Sequence, residues 1–176
     1  MLSLALLLRL AAGPVPQAPG TPWVLSGTGG QRVSDADFRG RYVLLYFGYT
    51  RCPDVCPTTL AAVSEAMHEL GARARRVQPL FVTIDPGHDT PADIRAYVGR
   101  FGGGLIGLTG TERQIGAMER DYWVHVARHP GPPARIDHSA VLYLIGPDGG
   151  LLAPIAADAD AGAIARILRR RLDSLS

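Results

Sequence analysis

The sequence contains no lysine, and all 18 of its basic residues are arginine. Its formal net charge is only +2. The one dense basic run, 169–171, comes at the end of a helical pattern, where cations suit the helix dipole. Nucleic-acid binding usually needs a concentrated basic stripe, which this distribution does not supply. The composition therefore predicts no nucleic-acid partner.

Long hydrophobic runs are also absent. The apolar run at 1–12 falls well short of the roughly 20 residues that a spanning helix needs. It fits a secretory hydrophobic region, interrupted by Arg9, or the end of a membrane anchor, and it fits the frayed terminus of a cytosolic protein less well. We expect residues 1–22 to be such a leader or anchor remnant with a Pro-rich linker, and residues 23–176 to form one domain.

From residue 23 onward, short apolar runs alternate with helical patterns, which is typical of βαβ units around a partly parallel sheet. Strands are predicted at 23–25, 31–33, 42–47, 77–84, 105–108, 140–145 and 151–155, and helices at 57–70, 90–101, 111–122 and 161–172. The first two strands form an N-terminal hairpin. This order predicts an α/β, thioredoxin-like fold with a central mixed sheet flanked by helices.

Two further expectations concern the region after the third predicted helix. Tyr122 and Trp123 are expected to close that helix against the core. The Pro- and Gly-rich segment 127–135 is predicted to be a loop that faces a partner.

The only two cysteines, Cys52 and Cys56, lie between a predicted buried strand and the helix that follows it. The amino end of a helix offers free N–H groups and the positive end of a dipole, both of which stabilise a thiolate. Both cysteines should therefore be reactive. Their three-residue spacer differs from the two-residue spacer of thioredoxin-type oxidoreductases, although a Cys52–Cys56 disulfide remains geometrically feasible.

Three ordered sequence blocks carry a family signature. They are FGYTRCPDVCP at 47–57, VTIDPGHDTP at 82–91 and IDHSAVLYLIGPDG at 136–149. Together they resemble the Sco/SenC proteins, copper chaperones that help to assemble the binuclear copper centre of cytochrome c oxidase. The resemblance covers the chain from about residue 23 to its C-terminus. The chain departs from the family pattern at the N-terminus, where a full membrane anchor is common.

The resemblance implies that Cys52, Cys56 and His138 bind copper as Cu(I), Cu(II) or both. Two soft thiolates and an imidazole suit Cu(I), and the same set with an added weak ligand can hold Cu(II). Three ligands leave one side open for transfer, whereas a structural zinc site normally has four. Asp137 is expected to hydrogen-bond near His138, and Asp85 to support the cysteine loop.

The resemblance also implies partners and a location. The partners are the copper-site subunit of cytochrome c oxidase and, in addition, other copper chaperones or thiol oxidoreductases. The location is the periplasm or the outer face of the cytoplasmic membrane, with membrane association. These implications describe a carrier rather than an enzyme.

Two enzymatic alternatives remain. A thiol-disulfide oxidoreductase that keeps the oxidase cysteines reduced would use Cys52 and Cys56 as catalytic residues and would not need His138. A peroxide-reducing enzyme is suggested by Thr50, two residues before Cys52, but it fits less well because no proline lies at 47–49.

Overall fold

The computed structural model describes residues 22–131 and 135–173. The strands are β1 (Val24–Gly27), β2 (Arg32–Ser34), β3 (Tyr42–Gly48), β4 (Val77–Thr83), β5 (Ile106–Thr109), β6 (Val126–His129), β7 (Arg135–His138), β8 (Val141–Ile145) and β9 (Leu151–Ala156). The helices are α1 (Val55–Leu70), α2 (Pro91–Val98), α3 (Glu112–Asp121) and α4 (Ala161–Asp173), with 3₁₀ turns at Asp35–Phe38 and Gly71–Arg76. The predicted leader and linker lie outside the described residues except for Pro22.

A seven-stranded sheet with the order β2-β1-β5-β4-β3-β8-β9 forms the centre of the fold. Strands β3, β4 and β5 are parallel, and the remaining neighbours pair antiparallel, including the N-terminal hairpin of β1 and β2. Strands β6 and β7 form a separate antiparallel pair. The predicted mixed sheet and N-terminal hairpin are confirmed.

Strands β3 and β4 are buried along their whole length, as a central parallel pair covered on both faces must be. Side chains alternate between the faces, so β3 contributes Tyr42, Leu44 and Tyr46 to one core and Val43, Leu45 and Phe47 to the other. Helices α1, α2 and α4 cover the first face, and α3 covers the second. Because β3 is buried on both faces, the position of its carboxyl end is fixed. The cysteine loop begins at this end.

Helix α1 begins at Val55, earlier than the predicted start at residue 57. Pro57 lies in the first turn, where its missing N–H removes no helical hydrogen bond. The earlier start places Cys56, and not only the residues after it, within the first turn of the helix.

The prediction of a loop at 127–135 was wrong at both ends, because β6 and β7 pair there. Their register runs from Val126 opposite His138 to His129 opposite Arg135. Neither strand contains a fully buried side chain, so the alternation of apolar and polar residues that marks a strand is weak. The hairpin places His138 at the end of a strand.

The expectation for Trp123 was also wrong. Tyr122 is 1% exposed, but Trp123 is 60% exposed and has a φ of 54°. The Trp123 N–H donates to the Arg120 carbonyl and the Val124 N–H to the Glu119 carbonyl, which is the left-handed ending that usually selects glycine. The turn directs the chain away from α3 and leaves the indole in solvent.

Candidate metal centre

The cysteine loop connects the end of β3 to the start of α1. The Cys52 N–H donates to the Tyr49 carbonyl at 3.2 Å and closes a turn. Cys52 is half-buried, whereas Cys56 has no exposed surface. The Cys56 N–H donates to the Cys52 sulfur at 3.4 Å. The Cys52 sulfur therefore satisfies one of the free N–H groups at the start of α1.

His138 reaches this loop from a position 82 residues further along the chain. Its Nε2 lies 3.6 Å from the Cys56 Sγ, and its Nδ1 lies 3.0 Å from the Ser139 carbonyl oxygen. Because a carbonyl oxygen only accepts, Nδ1 carries the proton in the neutral ring and Nε2 presents a lone pair toward the sulfur. The backbone thus selects the tautomer that a metal bound at Nε2 requires.

Two tyrosines of the β3 end surround the histidine. The ring centroids of Tyr46 and Tyr49 lie 6.1 and 6.3 Å from that of His138, both in edge-to-face geometry. The Tyr46 hydroxyl donates to the Cys56 Sγ at 3.7 Å. Ile136 of β7 packs against the core cluster that contains Tyr49, which ties the hairpin to the cysteine loop.

The pKa values of the two cysteines are shifted in opposite directions. The hydrogen bond from the Cys56 thiol lowers the pKa of Cys52 to about 4, with burial opposing the shift and His138 adding to it. The Cys52 thiolate in turn raises the pKa of Cys56, and burial raises it further. The pair therefore holds one thiolate, at the more exposed sulfur, and one thiol, at the buried sulfur.

The loop 85–89 is connected to the cysteine loop through the side chain of Asp85. The Asp85 carboxylate accepts from Arg51 at 2.5 Å and from His88 at 2.8 Å. Burial acts to raise the pKa of Asp85, but these two hydrogen bonds outweigh it and lower the pKa. As expected from the sequence, Asp85 contacts the cysteine loop and not the sulfur or imidazole groups themselves.

Asp89 makes a second connection between the same two loops. It accepts from the Thr50 N–H and hydroxyl at 3.0 and 2.6 Å and from the Thr83 hydroxyl at 2.6 Å. Asp89 is only 2% exposed, so these hydrogen bonds compensate for burying its charge.

Asp137, which was expected to hydrogen-bond near His138, does not bond to the His138 ring itself. Its carboxylate pairs with His129 at 2.9 Å and with Arg135 at 3.1 Å on the exposed side of the hairpin. Neighbouring residues of a strand point to opposite faces, so Asp137 and His138 cannot both face the cysteines. Ser139 supplies the bond to Nδ1 instead.

A cleft of about 220 Å³ opens beside Cys52, between the cysteine loop and β7. Its lining includes Tyr49, Cys52, Val55 and His138. Cys56 is absent from this lining and has no exposed surface. The accessible face of the site is thus formed by one sulfur and the imidazole.

In the described parts of the chain, no three Cys, His, Asp or Glu side chains form a preformed metal cage. Cys52 and Cys56 are instead joined by a proton between the sulfurs, and the unprotonated Nε2 of His138 lies 3.6 Å from the Cys56 sulfur. Sequence reasoning gave no role to Tyr46, because an aromatic residue in a buried strand has the pattern of a core residue, and none to Tyr49, although it belongs to the first sequence block. Their place just before the cysteine loop was the available signal.

A family model described as SCO1/SenC matches residues 12–173. The human protein SCO1 homolog, mitochondrial, is 39% identical over 140 residues, which are 76% of this chain and 46% of the human protein. A SCO2-like protein from Rickettsia felis is 35% identical over 144 residues, covering 80% of this chain and 70% of its own length. The chain thus spans less than half the length of its human relative.

Solved structures agree with these matches. ScoI from Arabidopsis thaliana with copper bound superposes with a TM-score of 0.83 at 30% identity, covering 89% of this chain and 99% of that one. ScoI from Bradyrhizobium japonicum with copper bound gives a TM-score of 0.80 at 35% identity, covering 87% and 99%. The likeness confirms the predicted thioredoxin-like fold class.

Proposed function

Because this chain belongs to the SCO1/SenC family, we propose that it carries copper on Cys52, Cys56 and His138 and delivers the metal to the copper-site subunit of cytochrome c oxidase. The observation that carries the proposal is the His138 ring, whose Nε2 lies 3.6 Å from the buried sulfur while its Nδ1 is held by the backbone. Two relatives that were solved with copper support the choice of metal.

The ligand chemistry suits the transfer of a soft cation. Two thiolates and one neutral imidazole favour Cu(I). Cys52 is already ionised at neutral pH, so binding has to displace only the Cys56 proton. Cys52 and His138 face the cleft, and an acceptor's thiolate can approach the metal from that side. Ligand exchange would then pass the metal to the acceptor. Cys56 would be the ligand furthest from the acceptor.

Metal analysis of single variants tests this proposal. The reduced protein should bind one copper ion, and Cys52→Ala and His138→Ala should each lose it. His129→Ala is the matched control, because His129 lies in the same hairpin but pairs with Asp137 on the exposed side. The control should keep its copper. Stoichiometric copper that persists in His138→Ala would rule out the assigned ligand set.

A second candidate, thiol-disulfide exchange, is favoured by the ionisation of Cys52. The partly exposed Cys52 thiolate can attack a partner's disulfide to form a mixed disulfide and release one partner thiolate. Cys56, once deprotonated, then attacks Cys52 and releases the second partner thiolate, so that two electrons pass to the partner. This activity needs both cysteines and not His138. Full exchange activity in a His138→Ala variant that binds no copper would favour it.

We also propose an extracytoplasmic location for the described domain. Several relatives carry the word mitochondrial in their names, and the family resemblance implies the outer face of a membrane in bacteria. No helix within residues 22–131 or 135–173 combines the length and the apolar character needed to cross a bilayer. Fractionation of cells that express the full chain, with the copper-site subunit as a marker, tests this location.

A further inference from the structure

Tyr46 stands out as a buried polar group that points at the site but is not among its three ligands. It is 1% exposed and lies in β3, where it pairs with Phe81 of β4 on one side and Leu142 of β8 on the other. A central strand with a neighbour on each side is a rigid support. The position of the Tyr46 ring is therefore set by the sheet and not by the cysteine loop.

The Tyr46 hydroxyl meets the less accessible of the two sulfurs. It donates to the Cys56 Sγ at 3.7 Å, and the ring makes an edge contact with His138. Gly48, two residues further along the same face, leaves room for this contact. A Cβ at Gly48 would lie 3.0 Å from the Cys56 sulfur and 3.2 Å from the Tyr46 ring.

Burial, followed by the charge of the neighbouring cysteines, raises the pKa of Tyr46 well above its ordinary value. The hydroxyl therefore keeps its proton and remains a donor at neutral pH. A sulfur that accepts a hydrogen bond is a weaker electron donor, and such bonds tune the redox properties of copper–thiolate sites.

We propose that Tyr46 is a positioning residue whose hydroxyl holds the Cys56 sulfur in place. Through this hydrogen bond, it sets the electron donation of the sulfur to copper and the equilibrium between the dithiol and the Cys52–Cys56 disulfide. The copper part of this inference rests on the proposed function, and the disulfide part does not. The hydroxyl acts through the sulfur and touches neither the metal nor a partner.

The first consequence concerns the metal-free protein. Oxidation by glutathione disulfide joins Cys52 to Cys56 and passes two electrons to the oxidant. The Cys56 proton and one proton from solvent complete the two molecules of glutathione that are released. A disulfide sulfur accepts hydrogen bonds more weakly than a thiol or thiolate, so the Tyr46 hydroxyl favours the reduced form. Tyr46→Phe should shift the equilibrium about fivefold toward the disulfide, the factor typical of one hydrogen bond.

The second consequence concerns the copper-loaded protein. The hydrogen bond lowers the energy of the sulfur lone pair, so its removal should move the sulfur-to-Cu(II) charge-transfer absorption to longer wavelength. Copper stoichiometry should stay at the wild-type value, because all three ligands remain. A role in folding alone would not move this band.

Tyr97→Phe is the matched control. Tyr97 is also buried and packs against Phe81, but its hydroxyl has no hydrogen-bond partner among the residues that the structure describes. Its removal should leave the glutathione equilibrium and the charge-transfer band unchanged. Equal shifts in both Phe variants, or none in Tyr46→Phe, would overturn the proposal.

A measurement on the unmodified chain covers the case in which Tyr46→Phe does not fold. With tyrosine labelled at Cζ by ¹³C, the Tyr46 resonance should move between the dithiol and disulfide forms, and it should move more than the Tyr97 resonance, because only the Tyr46 hydroxyl bonds to a cysteine sulfur. An unmoved Tyr46 resonance overturns the proposal. If wild type binds no copper but the disulfide equilibrium shifts as expected, the proposed copper function fails and the role of Tyr46 stands.

Discussion

At the residue scale, Gly48 is a position where even one added methyl group would contact the candidate site. A methyl group there would lie 2.9 Å from the Phe81 ring and 3.0 Å from the Cys56 sulfur, both inside packed surroundings. We expect Gly48→Ala to lower the free energy of unfolding by about 1–3 kcal/mol, as overpacking of a core does. Urea unfolding of the reduced protein measures this change.

Gly116→Ala serves as the comparison for Gly48→Ala. Gly116 lies within α3, and its added methyl group would approach nothing closer than the Arg120 side chain at 3.6 Å. The higher helix propensity of alanine should stabilise the protein by up to about 1 kcal/mol. A Gly48→Ala variant as stable as Gly116→Ala would show that the space beside the sulfur is not limiting.

The sequence identified single residues well where a motif names them and poorly where only packing does. Cys52, Cys56 and His138 could be proposed from ordered blocks, and the structure brings all three into contact. Tyr46 could not, because a tyrosine in a buried strand looks like any other core residue until its hydroxyl is seen to reach a sulfur. The outward direction of Asp137 could not be predicted, because the strand that contains it was not predicted.

At the element scale, the cysteine loop depends on a carboxylate from another loop. Asp89 accepts two hydrogen bonds from Thr50 and one from Thr83. Asp89→Asn replaces an acceptor oxygen with a donor, which should lower the free energy of unfolding by about 1–3 kcal/mol because a buried donor is left unpaired. Hydrogen exchange at residues 50–52 should also accelerate.

Asp93→Asn separates loop support from a general loss of stability. Asp93 belongs to the capping box of α2 with Thr90, close in sequence to Asp89 but without contact to Thr50. This variant should lose some cap stability without faster exchange in the cysteine loop. Faster exchange at Thr50 in both variants would argue against a specific role for Asp89.

The elements that the sequence predicted best have strong periodicity and recognisable caps. Helix α2 begins at Pro91 behind the Thr90 cap, and β3 and β4 appear as long apolar runs. The hairpin of β6 and β7 could not be predicted in this way. Its strands lack buried side chains. They are held by pairing with each other and by the packing of Ile136 against the core cluster that contains Tyr49, a contact between distant segments that local patterns do not report.

At the scale of the whole molecule, the ionisation of Cys52 links stability to pH. The pKa of Cys52 is lowered from 9.0 to about 4 in the folded protein, so its stabilising contribution is complete above pH 9 and is lost as the pH falls through about 4. The reduced protein should therefore become more stable between pH 5 and pH 8. Because Cys52 is partly exposed, solvent screening keeps the gain modest.

Urea unfolding at the two pH values, with Cys52→Ser as reference, measures this slope. The variant lacks the thiolate, so the difference in stability between wild type and variant should grow with pH. Above pH 9 the raised pKa of Cys56 acts in the opposite direction, because the folded state then retains a proton that the unfolded chain releases. A wild-type slope equal to that of Cys52→Ser would contradict the assignment of the low pKa.

The small hairpin that carries His138 lies outside the main sheet, and its histidine is 82 residues from Cys56 along the chain. In the proposed copper complex, the metal is a crosslink that closes this long segment onto the end of β3. In the unfolded chain, closing a flexible segment of this length costs entropy that grows only slowly with its length, so such a crosslink would also stabilise the folded state. The bound metal would thus act as a removable crosslink. After each delivery, the hairpin would be connected to the cysteines by fewer bonds than before it.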